Sequence, residues 1–213
     1  GKGSNVALLS NNSPRWAMSD YGIICSGAAT VSVYPTLISS QVEYILKDST
    51  SKVVFAENQE QMEKVMAVWG NCPQLTHAVV MDDSNTEADD RIINFLDFLN
   101  LGTKHEQETE TSFDDLTSKP EPNDLLTLIY TSGTTGNPKG VMLSHGNMMS
   151  NVEGTKQDIY FDQTEIFLSF LPLSHSFERM GGHFTAFSVG AQVYYAESIE
   201  TVPDNLREVK PSV

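Results

Sequence analysis

Short runs of apolar and β-branched residues alternate along this chain with longer stretches in which apolar positions recur every three or four residues. The short runs fall at 6–10 (VALLS), 31–35 (VSVYP), 52–57 (KVVFAE), 77–82 (HAVVMD), 125–132 (LLTLIYTS), 166–173 (IFLSFLPL) and 192–198 (QVYYAES), and each predicts a strand. Helices are predicted at 14–29, 39–48, 58–70, 89–100, 144–157 and 176–189, the first opened by Ser13 as N-cap with Pro14 in its first turn. Strands apolar on both faces and separated by helices imply a mostly parallel sheet covered by helices on both faces, with right-handed crossovers. The expected fold class is therefore α/β.

The acidic, proline-containing stretch 102–124 reads as the best internal linker. It divides a first α/β layer, 1–101, from a segment, 125–213, that bears a glycine-rich loop. The opening GKGSNVALLS shows no basic or apolar leader pattern, and VPDNLREVKPSV stops within a helical pattern. Both ends read as cuts from a longer polypeptide.

Composition narrows the function. With 28 acidic against 13 basic side chains the net charge is -15, so the overall field repels polyanions and argues against a nucleic-acid scaffold. Any phosphate must be bound locally. Cys25 and Cys72 are too few for a disulfide framework and lack neighbours at zinc-ligand spacing, which suits reduced thiols in a cytoplasmic protein and gives no metal site. The longest mostly apolar stretch, YGIICSGAATVSVY, is shorter than the roughly 20 residues that span a bilayer and is diluted by small polar residues. No transmembrane helix is expected.

The chemistry concentrates in IYTSGTTGNPKGV, 129–141. If 125–130 is a strand and Ser144 opens a helix, this loop leaves the carboxyl end of a parallel strand, where α/β sheets bind ligands. Gly133 and Gly136 allow positive φ and close approach, so successive N–H groups can turn toward an anion. Thr131, Ser132, Thr134 and Thr135 add hydroxyl donors, Pro138 stiffens the exit, and Lys139 supplies a compact cation. A plain polar turn would need one or two such residues, not ten. The spacing does not fit a Walker loop, because Lys139 is followed by Gly140, nor the dinucleotide pattern G-x-G-x-x-G.

The string YTSGTTGNPKGVMLSHGN closely resembles the phosphate-binding signature of the adenylate-forming, AMP-binding superfamily, which includes acyl-CoA synthetases, luciferases and the adenylation domains of peptide synthetases. FLSFLPLSHSFERMGG (167–182) resembles the following segment of long-chain acyl-CoA synthetases, and NVALLSNNSPRWAMSDYG resembles their nucleotide-domain entry. The likeness implies that the chain is part of an acyl-CoA synthetase N-terminal domain. The implied reaction has two steps: a fatty acid carboxylate attacks the α-phosphate of Mg-ATP, and coenzyme A then displaces AMP from the acyl-adenylate. ATP, Mg2+ and coenzyme A are thus the implied cofactor and co-substrates. The implied phosphate ligands are Thr131, Ser132, Gly133, Thr134, Thr135, Gly136 and Lys139.

The same likeness puts His175 beside the acyl-adenylate, with Lys139 as the second catalytic residue and Glu178 and Arg179 in the substrate pocket. Plainer roles remain open. His175 can be a hydrogen-bonded structural histidine, and Glu178 with Arg179 can start a helix, Arg179 in a surface pair. Amino-acid-activating relatives carry an Asp just after the phenylalanine equivalent of this segment; Leu173 to Phe177 has none, which suits an apolar tail. His145 and Asn147 fit first-turn duty behind Ser144 as N-cap, and Trp16, Trp69, Tyr194 and Tyr195 fit packing. His77, His105 and His183 share no ligand spacing.

Tyr-Gly-x-Thr-Glu, which carries the magnesium glutamate in the family, does not occur in this chain, so the 213 residues alone are expected to be inactive. A non-catalytic nucleotide-binding module and a medium-chain or aryl-CoA ligase stay open as alternatives. Acyl substrates partition into lipid, which leaves peripheral membrane association open, although no basic amphipathic helix is visible.

Overall fold

The computed structural model describes residues 1–82, 89–109, 112–117, 120–131 and 137–213. Its main sheet has seven strands: β1 (Asn5–Leu9), β2 (Ala29–Val33), β3 (Val53–Ala56), β4 (His77–Val80), β5 (Ile92–Asn94), β6 (Leu125–Thr131) and β7 (Lys139–Ser144). They lie in the order β5-β4-β3-β1-β2-β6-β7, and every pairing is parallel except β6 with β7. A separate parallel pair joins β8 (Ile166–Ser169) to β9 (Gln192–Tyr195).

Side chains alternate across the pleat, so each central strand feeds two cores. Ala7, Leu9, Val54, Ala56, Ala78 and Val80 face α2 (Ser39–Asp48) and α3 (Gln59–Val68). Leu8, Phe55 and Val79 face the other way, toward α1 (Pro14–Cys25) and α4 (Phe95–Thr109). The near-continuous apolar strands are thus buried on both faces, as the α/β expectation requires. Helix α1 starts where Ser13 accepts a hydrogen bond from the Trp16 N–H at 3.0 Å, with Pro14 at the first helical position.

Three segments differ from the sequence reading. First, 89–100 was expected as one helix, yet Ile92–Asn94 adds β5 to the sheet edge before α4 begins. Secondly, the stretch 102–124, expected as a linker or loop, contains helical residues. Helix α4 runs through it to Thr109 with a Lys104–Glu108 pair one turn apart, and α5 (Phe113–Thr117) follows. Because β6 pairs with β2, the segments on either side of 102–124 share one sheet. Thirdly, the glycine-rich loop returns as β7 before Ser144 caps α6 (His145–Asp158). The predicted helix at 176–189 is a seven-residue π-helix, Glu178–Phe184, followed by α7 (Thr185–Val189). The chain closes on α8 (Val202–Val209). Among the described residues no helix is long and apolar enough to cross a membrane.

Two glycines of α6 stand in opposite surroundings. A Cβ at Gly146 would come within 2.9 Å of the Pro122 carbonyl oxygen, whereas one at Gly154 meets nothing within 4 Å. Gly146→Ala should therefore destabilise the fold by about 1–3 kcal/mol through a backbone clash, and Gly154→Ala should stabilise it by about 0.5–1 kcal/mol through helix propensity. Urea denaturation of the two variants checks the opposite signs.

Candidate active site

A cavity of about 360 Å³ opens where β2 and β6 end, lined among others by Ser32, Tyr34, Ile129, Thr131, Pro138 and His175. It thus brings together six residues from the two motifs that the sequence singled out: Ile129, Tyr130, Thr131, Pro138, His175 and Ser176. Parallel strands point their carboxyl ends the same way, so loops from distant parts of the chain meet on this rim.

The β6–β7 hairpin forms one wall. Thr131 and Lys139 are register partners across it, so the two ends of the glycine-rich loop are held on neighbouring strands. Ser132, Gly133, Thr134, Thr135 and Gly136 lie outside the described residues; Thr131 and Lys139 are exposed. The exit of the loop is pinned by aromatic side chains. The Tyr44 hydroxyl donates to the Pro138 carbonyl at 3.1 Å, and Tyr44 meets Tyr130 edge-on with ring centroids 6.4 Å apart. The Tyr130 ring covers Gly140, where a Cβ would approach it to 3.1 Å. Tyr130 donates to Asp48 at 2.6 Å, and burial together with that bond pushes its phenol above the ordinary range. At the far end of β7, Ser144 and Asn147 exchange the reciprocal bonds of a capping box, which gives Asn147 the first-turn duty expected of it.

His175 and Ser176 also line the cavity, and Asn12 fixes the segment that leads to them. Its amide donates to Ser169 Oγ at 3.0 Å and to the Leu171 carbonyl at 2.7 Å, while its Oδ1 accepts from the Leu173 N–H at 2.8 Å. Ser32 adds a bond to the Ser174 carbonyl at 3.2 Å. This clamp buries Leu173 and Ser174 and leaves His175 exposed, its Nδ1 accepting from the Phe177 N–H at 3.2 Å.

Glu178 and Arg179 do not line the cavity, and Arg179 is not in a surface pair. Arg179 is 0% exposed. Its Nε and Nη2 donate to the two carboxylate oxygens of Asp20 at 2.9 and 2.5 Å, and Nη1 donates to Thr127 Oγ1 at 2.6 Å. Thr127 in turn donates to the Thr30 carbonyl, and the Thr30 hydroxyl donates to Asp20, both at 2.6 Å. The ring of bonds ties α1, β2, β6 and the π-helix together. Glu178 is buried beside it. Burial raises its carboxyl above the usual range, while a hydrogen bond from Ser169 pulls the other way. Gly182 makes room for that carboxyl, since a Cβ there would fall 2.7 Å from Oε1.

Asp20 and Asn12 were not singled out by the sequence reading. Asp20 had a signal: it lies one turn from Trp16 and from Ile24 on the apolar face of α1, where an unpaired carboxylate would be costly. Asn12 had none beyond its place before Ser13. Among the described residues no three His, Cys, Asp or Glu side chains gather as a metal site.

With the rim described, likeness to known proteins becomes informative. Residues 1–213 match the model of the AMP-binding enzyme family, and the chain belongs to that family. The long-chain-fatty-acid–CoA ligase ACSBG1 of Macaca fascicularis is 34% identical over 215 residues, covering 98% of this chain and 29% of that protein. Fatty acyl-CoA synthetase A of Dictyostelium discoideum is 31% identical, covering 99% of this chain and 31% of that protein. The chain thus spans less than a third of the length of these curated relatives. The crystal structure of the anthranilate CoA ligase AuaEII in complex with anthranoyl-AMP has the same fold, with a TM-score of 0.79 at 24% identity over 99% of this chain and 39% of that one.

A buried histidine behind the site gives the fold a pH response. His183 is 0% exposed, shares a 2.8 Å hydrogen bond with the Tyr195 hydroxyl, and its Nδ1 has no partner among the described residues. Burial lowers its pKa from 6.5 to about 4. Between these values the unfolded chain takes up a proton that the folded chain refuses, so stability falls with pH across that window, by about 3 kcal/mol. Glu178 opposes this, because its raised pKa lets the folded state bind a proton first as the pH falls. Urea unfolding at pH 7 and pH 4 should therefore show less acid loss in His183→Gln than in the unaltered protein.

Proposed function

We propose that these residues form the ATP-phosphate and acyl-transfer rim of a long-chain fatty acid–CoA ligase. In the first step a fatty acid carboxylate oxygen attacks the α-phosphorus of ATP, and the bond to pyrophosphate breaks. In the second, the coenzyme A sulfur attacks the acyl carbon, loses its proton, and AMP departs.

The reading rests on the shared cavity of Thr131, Pro138 and His175 at the carboxyl ends of parallel strands. Thr131, Ser132, Gly133, Thr134, Thr135 and Gly136 supply amide and hydroxyl donors to the β- and γ-phosphates, and the Lys139 ammonium offsets the charge that builds on the leaving pyrophosphate. Holding Thr131 and Lys139 on paired strands means that little reorganisation is needed when that charge develops. His175 also lines the cavity, placed to pack on the acyl-adenylate. An apolar tail suits the absence of an acidic side chain in Leu173 to Phe177, and it agrees with the fatty acid ligases among the relatives. Mg2+ bound to the ATP phosphates would neutralise part of their charge, but the described residues offer no carboxylate cluster to hold it, so no step here depends on such a ligand set.

Lys139→Ala in the full natural polypeptide carrying these residues tests the assignment. Pyrophosphate release with palmitate and ATP should fall on the order of 10²-fold, the usual cost of losing one electrostatic donor. Thioester formation from supplied acyl-adenylate should fall much less. Equal losses in both steps would remove the phosphate role, and ATP binding without any turnover by the unaltered polypeptide would favour a non-catalytic nucleotide module.

A further inference from the structure

We propose that Arg179 is a positioning residue for the adenylation step: it holds the His175 turn at a fixed place against the β6–β7 hairpin. Arg179 matters in this way only if His175 and Lys139 act as proposed above. Its backbone N–H donates to the His175 carbonyl at 3.2 Å, one helical turn away. Its side chain reaches Thr127, four residues before Thr131 on the same strand, and Asp20 on α1. The hairpin and the His175 turn, which both line the cavity, are thus joined through one side chain.

The chemistry of the guanidinium fits this task better than it fits simple stabilisation. Burying an ion pair gains little, since the desolvation of both charges offsets most of the attraction. A planar fork with donors on three nitrogens, however, fixes both distance and rotation, because Asp20 takes two of its bonds and Thr127 the third. The rings of Trp16 and Phe184 are each centred 5.7 Å from the guanidinium carbon. Lysine would keep the charge and lose the fork. Thr127→Val would keep the Asp20 pair and lose the third bond, together with the Thr127 hydroxyl's bond to the Thr30 carbonyl.

The test uses the full natural polypeptide, with thermal unfolding to confirm folding and pyrophosphate release as the kinetic readout. Arg179→Lys should lower kcat for adenylation by roughly 10- to 100-fold, the scale of an ångström-sized misplacement, while KM for ATP moves less than about threefold. Thr127→Val should lower kcat in the same direction by a smaller factor. In a double-mutant cycle, adding Arg179→Lys to His175→Ala should cost nothing further, because the residue being positioned is already gone.

Multiplying losses in the cycle would show a general structural role and overturn the proposal. So would wild-type kcat in folded Arg179→Lys and Thr127→Val. If Arg179→Lys does not fold, Thr127→Val decides alone, with an unchanged kcat against the proposal. Should Lys139→Ala and His175→Ala both leave pyrophosphate release intact, the site reading itself fails; should both impair it while the cycle is additive, only the positioning role falls.

Discussion

The fully buried pair of Asp20 and Arg179 is the constraint on which the arrangement of this chain turns. Moving two charges out of water costs several kcal/mol per ion, and only complete bonding offsets it. Here both carboxylate oxygens and all three guanidinium nitrogens are used, with Thr30 and Thr127 closing the ring. A partly assembled ring would leave a charge stranded, so α1, β2, β6 and the π-helix gain stability only when all four are in place. The contributing residues lie far apart in the chain, which makes the ring a test of global rather than local folding.

The candidate site is built on that base by hydrogen bonds of ordinary kind. Asn12 holds the segment before His175 onto the end of β1, and Tyr44 and Tyr130 hold the exit of the glycine-rich loop. The result is a cavity lined by the hairpin, by His175 and Ser176, and by Leu37, Gln41 and Ile45. Their mutual placement comes from the sheet beneath them and from side chains that reach down to it.

Much of this was legible in the order of residues. The strands β1 to β4 and the helices α2 and α3 follow directly from apolar runs and periodicity, because both cores draw on the same alternating positions. β5 was not visible, as Ile92–Asn94 merges into the apolar pattern of the helix behind it and becomes a strand only by pairing with β4. β7 was hidden for a related reason: Lys139-Gly140 reads as the tail of a loop, and nothing local says that it lies against Tyr130. Thr131 and His175, which the two motifs contribute, both line the cavity. Arg179 is buried and not in a surface pair; a charged residue beside a helix start reads as surface because Asp20, its partner across the fold, lies 159 residues away.

The position of β7 carries a practical consequence. It is an edge strand of the main sheet, and Val141 and Met142 on it are 43% and 66% exposed. An open strand border with apolar side chains is a template on which another chain can add itself. Lys139 sits at the start of this border and its ammonium discourages such stacking. Any replacement of Lys139 must therefore be judged by monomer yield before its turnover is compared.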